Sequence, residues 1–254
     1  MFAPDMLTRD EFLGGRLGIL QPKKGYRAGV DPVLLAASVP ARAGQSVLEL
    51  GCGAGVASLC LMARVEGLDV AGLEIQPEYA DLARQNAEAN AMRLDVHEGD
   101  LRAMPSALRA RRFDHVIANP PYHRSFARSP AQDEGREMAF AGPAALDDWA
   151  AAASRRLLPR GYLTAVLHTS RLPEFLEAVS ARLGSVEIIP IAPRAGREAG
   201  RFILRARKGG RADFRLHAPI IMHEGDAHAG DRESYTPHLR GVLREGRPLL
   251  PDPA

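Results

Sequence analysis

Ser46-Val-Leu-Glu-Leu-Gly-Cys-Gly-Ala-Gly55 decides how this chain is read. A run of strand length, apolar at Val47, Leu48 and Leu50, ends in three glycines and gives way to an amphipathic block from Val56 to Glu66. Short apolar runs closed by turn residues read as buried strands, and a buried strand followed by a helix is half of a βαβ unit. Outward from this stretch the same alternation recurs. Asp69 to Glu74 predicts a second strand and Leu94 to Glu98 a third. Between them, Pro77 to Ala91 predicts a helix with proline in its first turn, where the missing N–H costs nothing. Phe113 to Ala118 predicts the fourth strand, halted at Asn119-Pro120-Pro121 because two prolines cannot continue a central ladder. Beyond a polar loop from His123 to Ala141, helices are expected at Leu146 to Leu158 and Leu172 to Leu183. Gly161 to His168, Val186 to Ile191 and Arg201 to Arg207 supply the remaining strands. The fold class is therefore α/β, a seven-stranded and mostly parallel sheet with helices on both faces.

Composition is consistent with that class. The chain has 254 residues, of which 46% are hydrophobic and 25% charged, the averages of a globular domain and not of a disordered or fibrous one. No apolar run reaches the length of a membrane span. Asp5, Arg9, Asp10 and Glu11 interrupt the stretch where a secretory signal would need to be apolar, and the expectation is a cytoplasmic protein. Cys52 and Cys60 are too few for an all-cysteine zinc site and read as free thiols, with Cys52 a small filler in the glycine turn. The net charge of +2 does not by itself imply a polyanionic partner.

The glycine turn points to a cofactor. Gly51, Gly53 and Gly55 lie between the first strand and its helix, where a nucleotide ligand approaches the backbone of a doubly wound sheet. Glu74, 19 residues past Gly55 at the end of the second strand, is placed to accept ribose hydroxyls. Asp100 follows the third strand and is placed to accept from an adenine amino group. A dinucleotide fingerprint would space its glycines G-x-G-x-x-G. Here the spacing is G-x-G-x-G behind an acidic Glu49, which suits a cofactor with an ammonium group and no phosphate; S-adenosylmethionine fits that description.

Asn119-Pro-Pro-Tyr122 supplies the chemistry. An amine conjugated to a ring is a poor nucleophile because its lone pair is delocalised. Acceptors at the Asn119 side-chain oxygen and the Pro120 carbonyl would take both N–H bonds and turn the lone pair toward an activated methyl carbon. The prolines hold that carbonyl rigidly. Tyr122 offers a flat face on which an extruded base can stack. The same pair of acceptors would serve a planar amide as well as a base.

These motifs resemble those of class I S-adenosylmethionine-dependent methyltransferases, and within them the bacterial valine-tRNA (adenine-N6) methyltransferases. The resemblance rests on Gln21 with Tyr26-Arg27, Asp31 to Ala36, Glu49 to Gly55, Gly72 to Gln76, Asn119 to Tyr122, Arg136-Glu137 and Tyr235 to Pro237. It implies a Rossmann-like domain at 45–225 with a cover segment at 1–44; the tail at 226–254 is polar by composition and is expected either to wrap the domain or to be partly disordered. It further implies N6 methylation of an adenine near the anticodon of a tRNA, with Asn119, Pro120 and Tyr122 catalytic. Glutamine methyltransferases of release factors and guanine-N2 methyltransferases of ribosomal RNA share the motif, so a protein amide or another base amine remains open. A catalytically idle RNA- or NAD-binding module is the reading from a different class.

Weaker signals concern the partner. Arg194, Arg197, Arg201, Arg205, Arg207, Lys208 and Arg211 cluster in sequence and are candidates for RNA phosphates. Arg124, Arg128 and Arg136 lie in the loop after the motif, which is long enough to close over a flipped nucleotide. Asp31 is expected either to reach the methionine end of the cofactor or to cap a helix at Pro32. His217, His223 and His228 match no metal-ligand spacing, and methyl transfer needs no metal. The expected partner is thus a tRNA or other structured RNA, with no membrane and no metal.

Overall fold

The computed structural model describes residues 2–121, 144–225 and 234–250. An antiparallel hairpin, β1 (Leu7–Phe12) and β2 (Leu17–Pro22), and a helix, α1 (Asp31–Ser38), precede the sheet. The seven long strands are β3 (Ser46–Leu50), β4 (Asp69–Glu74), β5 (Leu94–Glu98), β6 (Phe113–Ala118), β7 (Leu157–His168), β8 (Gly184–Ala192) and β9 (Arg201–Arg207). Their order is β8-β9-β7-β6-β3-β4-β5, and two short strands, β10 (Arg215–Leu216) and β11 (Ile220–Ile221), both pair with β8. Pairing is parallel except around β9, which runs antiparallel to β7 and β8. The sheet is the α/β sheet expected.

Helices α2 (Val56–Arg64), α3 (Pro77–Ala89), α4 (Ser106–Arg109), α5 (Leu146–Arg156), α6 (Leu172–Ser180) and α7 (Pro237–Glu245) cover the two faces. Strand side chains alternate between the two cores, as a two-residue period requires. Val47 and Ile117 join the core under α1, α2, α3 and α7; Leu48, Leu50, Val116 and Ala118 join the one under α4, α5 and α6.

The cover segment is held by amides. Asn90 Oδ1 accepts from Gly18 N at 3.1 Å while its Nδ2 donates to Gly18 O at 3.0 Å. One turn earlier, Asn86 makes the same exchange with Leu20, at 2.7 and 3.0 Å. Two asparagine side chains of α3 and the turn after it thus act as a partner for β2, and Asn86 Nδ2 also donates to Ala54 O in the glycine turn. The hairpin is thereby tied to the loop that forms the site.

Of the tail at 226–254, residues 234–250 are described, and they pack against the domain. Thr236 Oγ1 accepts from Leu239 N at 3.3 Å and caps α7, whose Leu239 and Val242 are fully buried. This helix packs on α1 and closes one core.

Candidate active site at the switch point of the sheet

From β3 the chain winds outward to β4 and β5, and from β6 it winds the other way to β7. In open α/β sheets this change of direction leaves a crevice at the carboxyl ends of the strands. A cavity of about 250 Å³ lies there, lined by Gln21, Tyr26, Glu49, Gly51, Gly53, Glu74, Tyr79, Asn119, Pro121 and Trp149 among others. A smaller one of about 80 Å³ shares Gly51, Ile75, Pro121 and Trp149 with it and adds Gly99, Asp100, Leu101 and Arg102.

The floor is the glycine turn. Gly51 and Gly53 have φ of +64° and +53°, in the left-handed region where side chains are strained. A Cβ on Gly51 would come within 2.7 Å of the Trp149 ring, while one on Gly53 would fill the space toward Tyr26, 3.8 Å away. Cys52 is buried with its sulfur against Gly72, where a Cβ would come within 2.7 Å, so it fills space, and burial pushes its thiol up.

Two carboxylates flank the turn. Glu49 is 3% exposed and its Oε2 accepts from Ser58 N at 3.0 Å and Ser58 Oγ at 2.5 Å. Burial dominates those bonds and pushes the Glu49 carboxyl up to about 8. Glu74 accepts from Gly53 N at 2.8 Å and Gln76 N at 2.9 Å; burial raises it as well, with these backbone bonds opposing. No lysine or arginine lines the larger cavity among the described residues. Such a lining disfavours a pyrophosphate and suits a ligand that is cationic near the turn. The backbone cradle at Gly53, the two acidic side chains and the spare lone pair on each Glu74 oxygen fit S-adenosylmethionine.

Asn119 closes the site from β6. Its Nδ2 donates to the Tyr26 hydroxyl at 3.2 Å, whereas its Oδ1 is buried and has no hydrogen-bond partner among the described residues. A buried acceptor left without a donor costs roughly 1–3 kcal/mol, which a ligand N–H can recover. No described residue donates to the Pro120 carbonyl.

The structure brings Glu49, Gly51, Gly53, Glu74 and Asn119 to one cavity and Asp100 to its neighbour. Asp100 is held below the usual carboxylate range by Arg102, whose Nε and Nη2 donate to it at 2.9 and 2.6 Å. Tyr122, Arg124, Arg128 and Arg136 lie outside the described residues. Other expectations are corrected. Gly55 lines neither cavity; it is the left-handed residue before α2, and a Cβ there would meet Ala83 and Leu94 at 3.3 and 3.2 Å. Asp31 neither lines the cavity nor caps α1 with its side chain, because its Oδ1 pairs with Arg201 Nε at 2.6 Å. Arg201 is correspondingly engaged with Asp31. Arg194 is 8% exposed and donates to the Glu224 and Gly225 carbonyls. Arg205 is buried in an ion pair with Glu187 at 2.7 Å.

The cationic cluster is also divided by β9. Because that strand runs antiparallel, Arg201 stands at the end near the cavity, and Arg207 and Lys208 stand at the other, roughly 20 Å away. There Lys208 Nζ donates to Ser154 O and Leu157 O, and Arg207 lies over the Tyr162 ring at 5.5 Å. His217 sits 3.4 Å from Glu187, His223 bonds Ser234 Oγ at 3.0 Å, and His228 is outside the described residues. No three metal-ligating side chains gather among the described residues, and none of their helices is long and apolar enough to cross a membrane.

Tyr26, Gln21, Tyr79 and Trp149 line the cavity without having been expected to. Trp149 is the single tryptophan, 8% exposed, with Nε1 buried and unpartnered among the described residues. The signal for Tyr26 and Gln21 was their place in the N-terminal block. Gln21 clasps the backbone of Ala28 through Oε1 at 2.7 Å and Nε2 at 3.3 Å, shaping the loop that carries Tyr26.

Comparison with known proteins shows the family. The family model of the methyltransferase small domain matches residues 28–189, more than half of the chain. A tRNA1(Val) (adenine(37)-N6)-methyltransferase of Porphyromonas gingivalis is 32% identical over 203 residues, covering 72% of this chain and 77% of that protein. One from Aeromonas hydrophila is 31% identical over 214 residues, covering 81% and 86%. Among solved structures, a predicted O-methyltransferase from Agrobacterium tumefaciens superposes with a TM-score of 0.66 at 30% identity, over 84% of this chain and 94% of that one. The Thermus thermophilus 16S rRNA N2 G1207 methyltransferase, in complex with AdoMet and guanosine, gives a TM-score of 0.56 at 21% identity over 80% and 50%, a likeness of fold alone.

Proposed function

Because the chain belongs to the methyltransferase small-domain family, we propose that it transfers a methyl group from S-adenosylmethionine to the exocyclic N6 of an adenine in tRNA, next to the anticodon. Its relatives named for that reaction support the substrate. The observation that carries the chemistry is the buried Oδ1 of Asn119 at the cavity wall, unpartnered among the described residues.

S-adenosylmethionine, when bound, supplies a methyl carbon made electrophilic by its sulfonium. Glu49 and Glu74 favour its positive end and its ribose hydroxyls, and the backbone at Gly51 and Gly53 leaves room for it. Asp100 serves the adenine amino group from the adjoining cavity. Asn119 Oδ1 and the Pro120 carbonyl accept the two N–H bonds of the substrate amine, localise its lone pair and aim it. Two acceptors match an NH2 group; a hydroxyl has one hydrogen and would leave one of them unpaired. No tuned general base is required, since the product ammonium is acidic enough to lose its proton to water. Tyr122 is assigned the stacking face, Arg124, Arg128 and Arg136 the closing loop, and Arg197, exposed between β8 and β9, a phosphate contact.

Mass spectrometry of nucleosides from unmodified bulk tRNA, incubated with the protein and methyl-labelled cofactor, tests this reading. Label in N6-methyladenosine is the expected result. Label in methylguanosine, or none in RNA and some in a protein amide, would replace it.

A further inference from the structure

We propose that Tyr26 is a positioning residue that holds the Asn119 carboxamide in the one orientation leaving its oxygen free for substrate. The inference rests on the reading of Asn119 given above and goes beyond it. An asparagine amide is nearly symmetric in shape, so a site that needs its oxygen at a given point must hold the NH2 elsewhere. Here Nδ2 donates to the Tyr26 hydroxyl at 3.2 Å, and Oδ1 is the atom left buried without a partner among the described residues.

Tyr26 is itself fixed. Its backbone N donates to the Tyr79 hydroxyl at 2.9 Å, and that hydroxyl donates to the Tyr26 carbonyl at 3.0 Å. Gln21 clamps the chain two residues on, at Ala28. The loop carrying Tyr26 is thus pinned to α3 on one side and to β2 on the other, while its hydroxyl reaches across the cavity to the end of β6. Although about half of the residue is exposed, desolvation of the hydroxyl end, with Glu49 and Asp31 nearby, pushes its pKa up to about 12. It stays a neutral phenol at any pH at which the protein would be assayed. A phenolate would accept from Nδ2 more strongly but would add a third negative group beside Glu49 and Asp31.

The test is a double-mutant cycle of Tyr26→Phe and Asn119→Ala, read by kcat, the KM of each substrate and cofactor affinity. Tyr26→Phe keeps the ring and both backbone bonds to Tyr79, and thermal unfolding checks that the fold persists. The expected result is a fall in kcat of tenfold or more, with the KM for RNA and the Kd for cofactor within about twofold, because one neutral hydrogen bond and the amide orientation are lost. On the Asn119→Ala background the same change should have no further effect. A merely structural role would lower stability or raise both KM values instead. Unchanged kcat in Tyr26→Phe, or a full additional loss on the Asn119→Ala background, would overturn the proposal. If Asn119→Ala alone retains wild-type kcat, the reading of Asn119 fails first, and the two failures are told apart.

Discussion

Replacing Glu49 with glutamine separates the charge of this side chain from its shape. Burial pushes the Glu49 carboxyl up to about 8 from an ordinary value of 4.5, so at pH 7 the free protein holds this proton about nine-tenths of the time. A cation bound nearby favours the carboxylate. If it returns Glu49 to its ordinary range, binding at pH 7 releases about 0.9 proton, and affinity rises roughly tenfold per pH unit between about 5 and 8 before levelling off. Stability of the free protein runs the other way. A folded-state pKa raised above the unfolded one contributes stability that is fully present below pH 4.5 and lost as pH rises to about 8. Over that window the loss is on the order of 5 kcal/mol. Glu49→Gln cannot ionise, so it should remove both dependences, bind cofactor more weakly at pH 8, and be more stable than wild type at pH 9. Titration calorimetry of cofactor binding in buffers of different ionisation enthalpy measures the proton count, and urea unfolding at pH 5 and 9 measures the stability. No proton release by the wild type, or the same pH slope in the variant, would mean that Glu49 does not ionise on cofactor binding.

Asn119→Ala should lower kcat by about a hundredfold or more while leaving calorimetric cofactor affinity within twofold, since its oxygen is preorganised for the substrate amine. Gly53→Ala forces a side chain into φ +53° and into the space toward Tyr26; it should cost about 1–2 kcal/mol in unfolding experiments and weaken cofactor binding. Glu187→Leu leaves Arg205, 5% exposed, buried without its carboxylate, and should destabilise by about 3–5 kcal/mol, with Arg205→Leu in the same chain restoring much of it. Leu239→Ala, at a fully buried position of α7, should cost about 2–5 kcal/mol in urea unfolding; a value near zero would mean that the helix is not part of the core.

The sheet was legible because its strands carry their own signal. Ser46–Leu50, Asp69–Glu74, Leu94–Glu98, Phe113–Ala118 and Arg201–Arg207 occupy the bounds that apolar runs and turn residues predict. Burial on both faces makes the central runs at Ser46–Leu50 and Phe113–Ala118 largely apolar, and Pro120 and Pro121 end one of them physically. The hairpin β1–β2 carries no comparable signal, because its outer partner is a pair of side-chain amides, Asn86 and Asn90, more than sixty residues away. In α7, the Leu239, Val242 and Leu243 spacing is helical, yet charged and proline residues around it dominate the composition. The carboxylates and glycines of the cavity could be read from local motifs, since one turn carries most of them. Asp31 and Arg201 could not, because each answers the other across 170 positions of chain and charge alone does not say where a partner stands. Arg207 and Lys208 read as one patch with Arg194 only until the strand between them is given its length and direction.

The most direct test of the central claim is a crystal structure with S-adenosylhomocysteine and an adenosine-containing fragment of tRNA in the cavity. The N6 nitrogen is expected about 2.9 Å from both Asn119 Oδ1 and the Pro120 carbonyl, with its remaining direction toward the sulfur. An amine held by other groups, with the Asn119 oxygen turned from it, would contradict the account.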